Sequence, residues 1–574
     1  MMKAREGIAL ALVVLLMLVV GSIAAGSAML GSSSYLMSAY KDRQSMLASV
    51  ADAGVELARA RINGDTLYPA SGYRTLENGV PVRGLDGNII PGVKRYTYVG
   101  PTGVTSGQYG VFGTIVSIAE AGNGDRVIRR LEVSQESFAK FAYFTNIEGT
   151  IVFGGGDQLF GPVHSNDEIE IHSTGATFNG PVTTAGTIVG RSNGTFRQGY
   201  TERVPRIELP STAVLSNLRG FATQGNTAFT STTNGTAGQA TMRIEFVNVD
   251  LNNDGDATDE DEGFFRVYKS SDAAWVSAGL PSGGMRNSRN CGHYHGSGAS
   301  LQFVAAASHG NSGSDSYLNA LQSSSRRCFP GGSDELNTGG AFVANDGTGE
   351  YLQWPGPVDP RVSARRADAQ YLFPISRQLN PDFKGVIHVN GKVAIHGTLR
   401  GRVTLAATGN IIIIDDIRYS TGVGSCRDIL GLFTGQDVVI ADNTINSPQR
   451  PSGSGSTYYT YDDTRDEFID GIILALGNFT AENYTSGPTN AEPCGSTSWG
   501  RGCLYLNGGV IQRERGGVGQ SNGVGYLKRY SWDPCGLSDP PPYFPTTGRF
   551  TRGRLLEVDP TGFDVAALFD LLTP

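Results

Sequence analysis

The stretch from Met1 to Ile62 constrains the chain most. From Ile8 to Leu30 the sequence IALALVVLLMLVVGSIAAGSAML carries no charge, and at about 1.5 Å per residue such a helix spans the roughly 30 Å hydrocarbon core of a bilayer. The pattern then turns amphipathic without a break. In SYLMSAYKDRQSMLASVADAGVELARARI, the residues Met37, Tyr40, Leu47, Ala51, Gly54, Ala58 and Ile62 recur at spacings of three, four or seven and form one apolar helical stripe. That stripe requires a partner surface, which the rest of the chain must supply.

Ahead of the apolar run stands a short charged leader, Met1-Met2-Lys3-Ala4-Arg5-Glu6-Gly7. Lys3 and Arg5 hold the N-terminus on the cytoplasmic side, so the bulk of the chain lies outside. Leader and helix together resemble the N-termini of type IV pilins and type II secretion pseudopilins. The resemblance implies cleavage between Gly7 and Ile8 by prepilin peptidase. It also implies partnership with other pilin or pseudopilin subunits and an inner-membrane assembly platform, and placement in a bacterial inner membrane or an extracellular pilus. Most pilins carry Glu at the fifth position after the cut, whereas this chain has Leu12. Minor pilins of the PilX type and the pseudopilin GspK also lack that Glu, so the resemblance implies a minor, tip or initiating subunit. Two other readings compete. A cleaved secretory signal has an apolar core of about 7 to 15 residues, shorter than this run, although Ser22-Ile23-Ala24 offers a small-residue site. An uncleaved single-pass anchor on a surface β-helix protein unrelated to pili fits the same hydropathy.

Of the 574 residues, 78 are glycine, about twice the usual share. With Lys+Arg at 46 nearly balancing Asp+Glu at 54, the exterior part is expected to be turn-rich β structure rather than a disordered tail. A net charge of -8 without a basic stripe argues against a nucleic-acid face. All 6 cysteines lie beyond residue 290, which suits an oxidising exterior.

Asn63-Gly64-Asp65 stops the helix, and Tyr68 to Gly110 is a Gly/Pro-punctuated linker with one strand expected at Lys94 to Val99. Gln108 to Ala121 and Arg126 to Val133, joined by Gly122-Asn123-Gly124-Asp125, read as a hairpin able to cover the stripe. Helix followed by hairpin again resembles a PilX-type head. From Phe138 short strands are broken by glycines, and a repeat emerges. GPVHSNDEIEIHSTGATFNGPVT from Gly161 matches GVIHVNGKVAIHGTLRGRVT from Gly385 at constant offset, pairing His164 with His388 and His172 with His396. Repeated short strands with inward Val/Ile and corner Gly/Asn are what a β-solenoid needs. The fold expected is therefore mainly β: a transmembrane and amphipathic helix, a small pilin-like hairpin head, then a right-handed parallel β-helix carrying an inserted α+β or loop region. The second half also resembles glycine-rich β-helix envelope proteins, through phrases such as GPVHSND, GVIHVNG and DPPPYFPTTGRF. The organisation expected is leader 1–7, helix 8–62 (transmembrane 8–30), head 63–137, β-helix 138–199, insertion 200–381, β-helix 382–550 and tail 551–574.

Within the insertion, VDLNNDGDATDEDEGF places Asp250, Asn252, Asp254, Asp256 and Asp261 at positions one, three, five, seven and twelve of a calcium loop, with Gly255 at its turn. Glu262 is a rival ligand, and strand-like flanks make this a hairpin rather than a helix-loop-helix. Calcium is the one cofactor expected. Cys291, His293 and His295 alternate as soft-metal ligands would, against a plain disulfide from Cys291 to Cys328. Cys494 and Cys503 flank a short loop, leaving Cys426 for Cys535, although six cysteines allow 15 connectivities. The repeated histidines are solenoid surface residues by this reading. A polysaccharide lyase or hydrolase on a β-helix needs facing carboxylates; Asp415-Asp416 and Asp462-Asp463 are adjacent acidic pairs in the β-helix half. No HExxH or P-loop motif is present. The expectation is a non-enzymatic envelope subunit displaying its β-helix for adhesion or assembly contacts.

Overall fold

The computed structural model describes residues 4–64, 72–84, 86–101, 112–231, 239–270, 275–276, 293–295, 302–304, 344, 349–441, 458–459, 466–482, 484–485, 492–495 and 497–572. The chain is mainly β and divides into two compact units: Met1–Glu136 with Gly548–Pro574, and Ser137–Thr547.

The first unit begins with α1 (Ala4–Gly64), one helix containing no proline, so nothing interrupts its hydrogen-bond ladder. Four strands follow, β1 (Arg74–Arg83), β2 (Ile89–Pro101), β3 (Phe112–Ala121) and β4 (Arg126–Ser137), each antiparallel to the one before. A fifth strand, Thr546–Val558, arrives from the far end of the chain and lies beside β4. The hairpin read from the sequence is thus the centre of a five-stranded sheet. Alternation along β3 divides its side chains between two faces. Ile115 and Ala119 meet α1, in clusters with Val55, Ala58, Leu131 and Phe550 and with Leu47, Ala51, Val93 and Val127. Val116 and Ile118 meet Phe569 of the Val565–Leu572 helix on the other face. Residues read as a tail are therefore an edge strand and a covering helix.

The second unit is built on parallel ladders. One runs without a gap through Ala228, His388, Ala406, Phe433, Leu474, Ile511, Phe144, His164, Thr183 and Thr201. Another runs through Phe246, Gly397, Ile417, Ile469, Leu506, Tyr530, Leu159, Phe178 and Phe196. The middle of the first ladder, from the His388 strand to the Phe144 strand, is buried on both faces, which accounts for its near-continuous apolar strands. Ile387, Leu405, Leu432, Ile473 and Val510 join the largest core cluster. Their neighbours Ala406, Phe433, Leu474, Ile511 and Phe144 pack beneath Leu215, Leu218, Ala222 and Phe544.

The order of strands in this ladder is not the order of the chain. The path enters at Tyr143, in the middle, and proceeds to Thr201. It then returns along the ladder, where Val204 N–H donates to Thr184 O at 3.0 Å and Ile207 N–H to Asn166 Oδ1 at 2.9 Å. The Ala213–Gln224 helix completes the return, and the ladder restarts at Ala228, beside His388. From there the chain works back until Ile511 lies against Phe144. Described strands of the segment 200–381 join this sheet: Met242–Asn248 pairs antiparallel with Gly263–Ser270 and parallel with Val393–Leu399.

Candidate functional site

The first half of α1 is the most distinctive surface in the first unit. The helix is long and apolar enough to cross a membrane, with mean hydropathy 2.7 over its best window and none of that window buried. Leu12 is exposed along with Leu10, Val13, Leu15, Leu16 and Met17. Gly7 and Ile8 lie within the helix. Met37 and Tyr40, expected in the covered stripe, are exposed; burial begins at Leu47, where Val82, Val93 and Val127 of the sheet first reach the helix. Val50 and Val55 are buried members that the stripe reading missed.

Gly54 sets how closely helix and sheet approach. A Cβ there would run into Ser117 Oγ and lie 2.6 Å from Arg95 Cδ. Beneath it, Arg95 Nε and Nη2 each donate to a different Glu77 oxygen at 2.8 Å, and Thr97 Oγ1 donates to Glu77 Oε2 at 2.7 Å. These bonds, the Arg95 fork first, hold the Glu77 carboxyl below its ordinary value against the opposing effect of burial.

The acidic loop joins the Met242–Asn248 and Gly263–Ser270 strands, and its backbone turns at Gly255 with φ +98°. Asp250 accepts from Asn253 N–H at 2.5 Å and from Gly255 N–H at 3.1 Å. Asn252 Nδ2 donates to Asp254 at 2.9 Å and to Asp259 at 2.8 Å. Asp256 Oδ1 accepts from Thr258 N–H and, at 2.8 Å, from its hydroxyl. Asp261 pairs with Arg361 at 2.9 Å, which draws the twelfth position out of the set. The rival Glu262 is buried and accepts from Leu251 and Asp259 N–H at 2.7 and 2.9 Å, closing the base of the loop. Among the described residues no group of three His, Cys, Asp or Glu is placed to hold a metal.

The remaining candidates fall apart spatially. His164 and His388 occupy the same column of one ladder but are separated along it by the strands of Ala406 to Phe144. His164 is buried and bonds Thr183 Oγ1 at 2.8 Å and Asn166 Oδ1 at 3.0 Å. Burial, with Arg219 nearby, pushes the His388 imidazole down to about 4. His396 lies 3.9 Å from Glu245, whereas His172 bonds Thr174 at 2.9 Å. Cys426 is bonded to Cys535 and Cys494 to Cys503. Cys291 and Cys328 lie outside the described residues, as do Asp462 and Asp463. Asp416 accepts from Phe468 N–H at 2.8 Å and pairs with Arg418 at 3.2 Å, both structural duties.

Sequence reasoning missed the buried charge pairs. Arg515 lies 3.1 Å from Glu148 where the Tyr143–Ile147 strand meets Cys503–Glu514, and both side chains are almost wholly buried. Burial pushes the Glu148 carboxyl up while Arg515 opposes it. In the 200–381 segment Arg266 is held between Glu245 and Asp368 at 2.8 and 2.9 Å. No local pattern marks such pairs.

No family model matches the chain and no curated protein sequence matches it. Among solved structures, the competence-associated pilin ComZ from Thermus thermophilus is similar across 88% of this chain and 96% of its own, at 12% identity and a TM-score of 0.26. A likeness that loose carries no argument.

Proposed function

We propose that the chain is a non-enzymatic, membrane-anchored subunit of a type IV pilus or type II secretion-like assembly, of the minor pilin or pseudopilin kind. The observation that carries this reading is α1 itself. An exposed apolar helix long enough to span a bilayer runs without interruption into a stripe buried under an antiparallel sheet. A cleaved signal has no use for a covered continuation in the same helix. In this reading Gly7 and Ile8 flank the processing site, the partners are other pilin-like subunits and their inner-membrane platform, and Leu12 suits a minor position. The second unit, with its long parallel ladders, is a right-handed parallel β-helix entered in its middle, and its surface serves adhesion or assembly contacts. Calcium at the 250–261 loop belongs to the same proposal and requires Asp261 to exchange Arg361 for the ion.

Mass spectrometry of the mature N-terminus tests the reading. A chain beginning at Ile8 is expected. A start near Ala25 indicates a secretory signal, and an intact Met1 a plain anchor; either result overturns the pilin-like assignment.

A further inference from the structure

The residues Asp533 to Pro545 form a strap across the first ladder of the second unit. Arg402 pairs with Asp539 at 2.9 Å and donates to Pro540 O at 3.2 Å, while Thr404 Oγ1 donates to Pro542 O at 2.5 Å. Phe544 is buried among Val386, Ala406, Ile429, Phe433 and Leu474. The ladder makes room for it at Gly431, where a Cβ would lie 2.5 Å from the Phe544 ring and 2.8 Å from Pro541. Tyr543 stacks on Phe221 of the Ala213–Gln224 helix at 4.0 Å, and Pro545 O accepts from Phe138 N–H at 3.0 Å. The strap thus touches three neighbouring strands of the ladder, the Phe138–Lys140 turn that precedes its other arm, and the helix that returns along it.

One covalent bond fastens it. Cys535, fully buried at the start of the strap, is bonded to Cys426, which is only partly buried and sits in a turn whose residues Gly422 to Ser425 face solvent. The other described bridge differs: Cys494 and Cys503 are both buried. Access and not only thiol chemistry decides which disulfide exchanges first.

We infer that Cys426–Cys535 is a redox-sensitive clasp, a site for thiol–disulfide exchange with an external dithiol, whose opening releases the strap and uncovers the apolar face of the ladder. A thiolate of the dithiol attacks Sγ of Cys426, the Sγ–Sγ bond breaks, and its electron pair leaves on Cys535 Sγ, which takes up a proton. The second thiol of the dithiol then displaces Cys426, so the dithiol ends as a disulfide and the protein as two thiols. What remains on the strap is one partly exposed ion pair, a few hydrogen bonds, the Tyr543–Phe221 stack and the packing of Pro541 and Phe544. The loop of 109 residues closed by the bond is long, so its constraint on the opened ensemble is large.

The test uses the full-length oxidised chain in detergent micelles, pulsed with dithiothreitol, with free thiols trapped by alkylation and located by peptide mass spectrometry. Cys426 and Cys535 are expected to open before Cys494 and Cys503. Once they have opened, protease cleavage within 536–545 and hydrogen exchange in the strands at Val386–Asn390, Arg402–Ala407 and Ile429–Thr434 should accelerate by on the order of tenfold or more, with circular dichroism retained. The double variant Cys426→Ser/Cys535→Ser should show the same acceleration without reductant; should it fail to fold, the pulse on the wild type decides alone. Earlier opening of Cys494–Cys503, or unchanged cleavage and exchange after the clasp opens, overturns the inference.

Discussion

The two units solve the same problem, burying a sheet, with opposite use of sequence distance. In the first, β1 to β4 neighbour one another in order, and the β3–β4 register is set by a tight turn in which Gly124 N–H donates to Ala121 O at 2.9 Å. The Thr546–Val558 strand and the Val565–Leu572 helix come from far away. In the second, Phe144 cannot find Ile511 until nearly the whole intervening chain exists, and Glu148 and Arg515 are 367 residues apart. Local pairing costs little loop entropy, whereas closure over hundreds of residues must be stabilised by what meets there. The first unit therefore relies on periodic apolar contacts and a buried ion pair, Arg95–Glu77, between neighbouring strands, whereas the second sets buried charges and a disulfide at its long-range junctions.

The largest effect expected is at the junction. Arg515 also donates to Ile151 and Val152 carbonyls at 3.1 and 3.4 Å and lies 3.8 Å over the Phe153 ring. Arg515→Met leaves Glu148 buried without its cation and should destabilise the second unit by about 3–5 kcal/mol, while Glu148→Leu/Arg515→Met should recover most of that loss. Urea unfolding followed by hydrogen exchange in each unit checks both variants. Equal destabilisation of the two units, or no loss from Arg515→Met, would break the comparison.

Acid should separate the units next. The His388 imidazole is held near 4 against its usual 6.5, so between those values the unfolded chain binds a proton that the folded one refuses. Stability of the second unit falls as pH drops through that window, by up to about 3 kcal/mol. Glu148, Asp470 and Asp533 are raised by burial and act in the opposite sense, so the informative quantity is the difference between wild type and His388→Gln. In the first unit the Glu77 carboxyl is depressed, so its contribution is intact above 4.5 and lost only as pH falls further, through the folded value. A His388→Gln variant with the wild-type slope between pH 6.5 and 4 would remove this distinction.

What the sequence disclosed follows the same division. The stripe from Leu47 to Ile62 and the turn at Gly122 to Asp125 are readable because helix and hairpin periods are local. The matched histidines at 164 and 388 do fall in one column of the ladder, but both are buried and not on the surface as the repeat suggested. The return path from Thr201 to Ala228 left no such trace, and neither did the meeting of Phe144 with Ile511. Both are long-range pairings between strands whose own sequences differ little from other apolar strands of the ladder. The calcium pattern shows a further boundary: spacing places oxygens along the chain, but Arg361, a hundred residues on, decides where Asp261 goes.

The smallest effect expected is calcium's, and it concerns the second unit alone. The loop already spends much of its acceptor capacity internally: Asp250 on two backbone N–H groups, Asp254 on Asn252, and Asp261 on Arg361. An ion would have to compete with these bonds, so the affinity expected is weak, roughly 0.1 to 1 mM. At tenfold excess over such a Kd the linkage is worth about 1.4 kcal/mol. Melting of the second unit should rise slightly in calcium relative to chelator, with the first unit unchanged. Asp250→Ala/Asp254→Ala should abolish the rise, because it removes the ligands at positions one and five. Arg361→Ala should enlarge it, because Asp261 then has no competing cation at 2.9 Å. Identical melting in calcium and chelator for both the wild type and Arg361→Ala would make the loop a self-bonded turn whose acidic residues serve only its own backbone and Arg361.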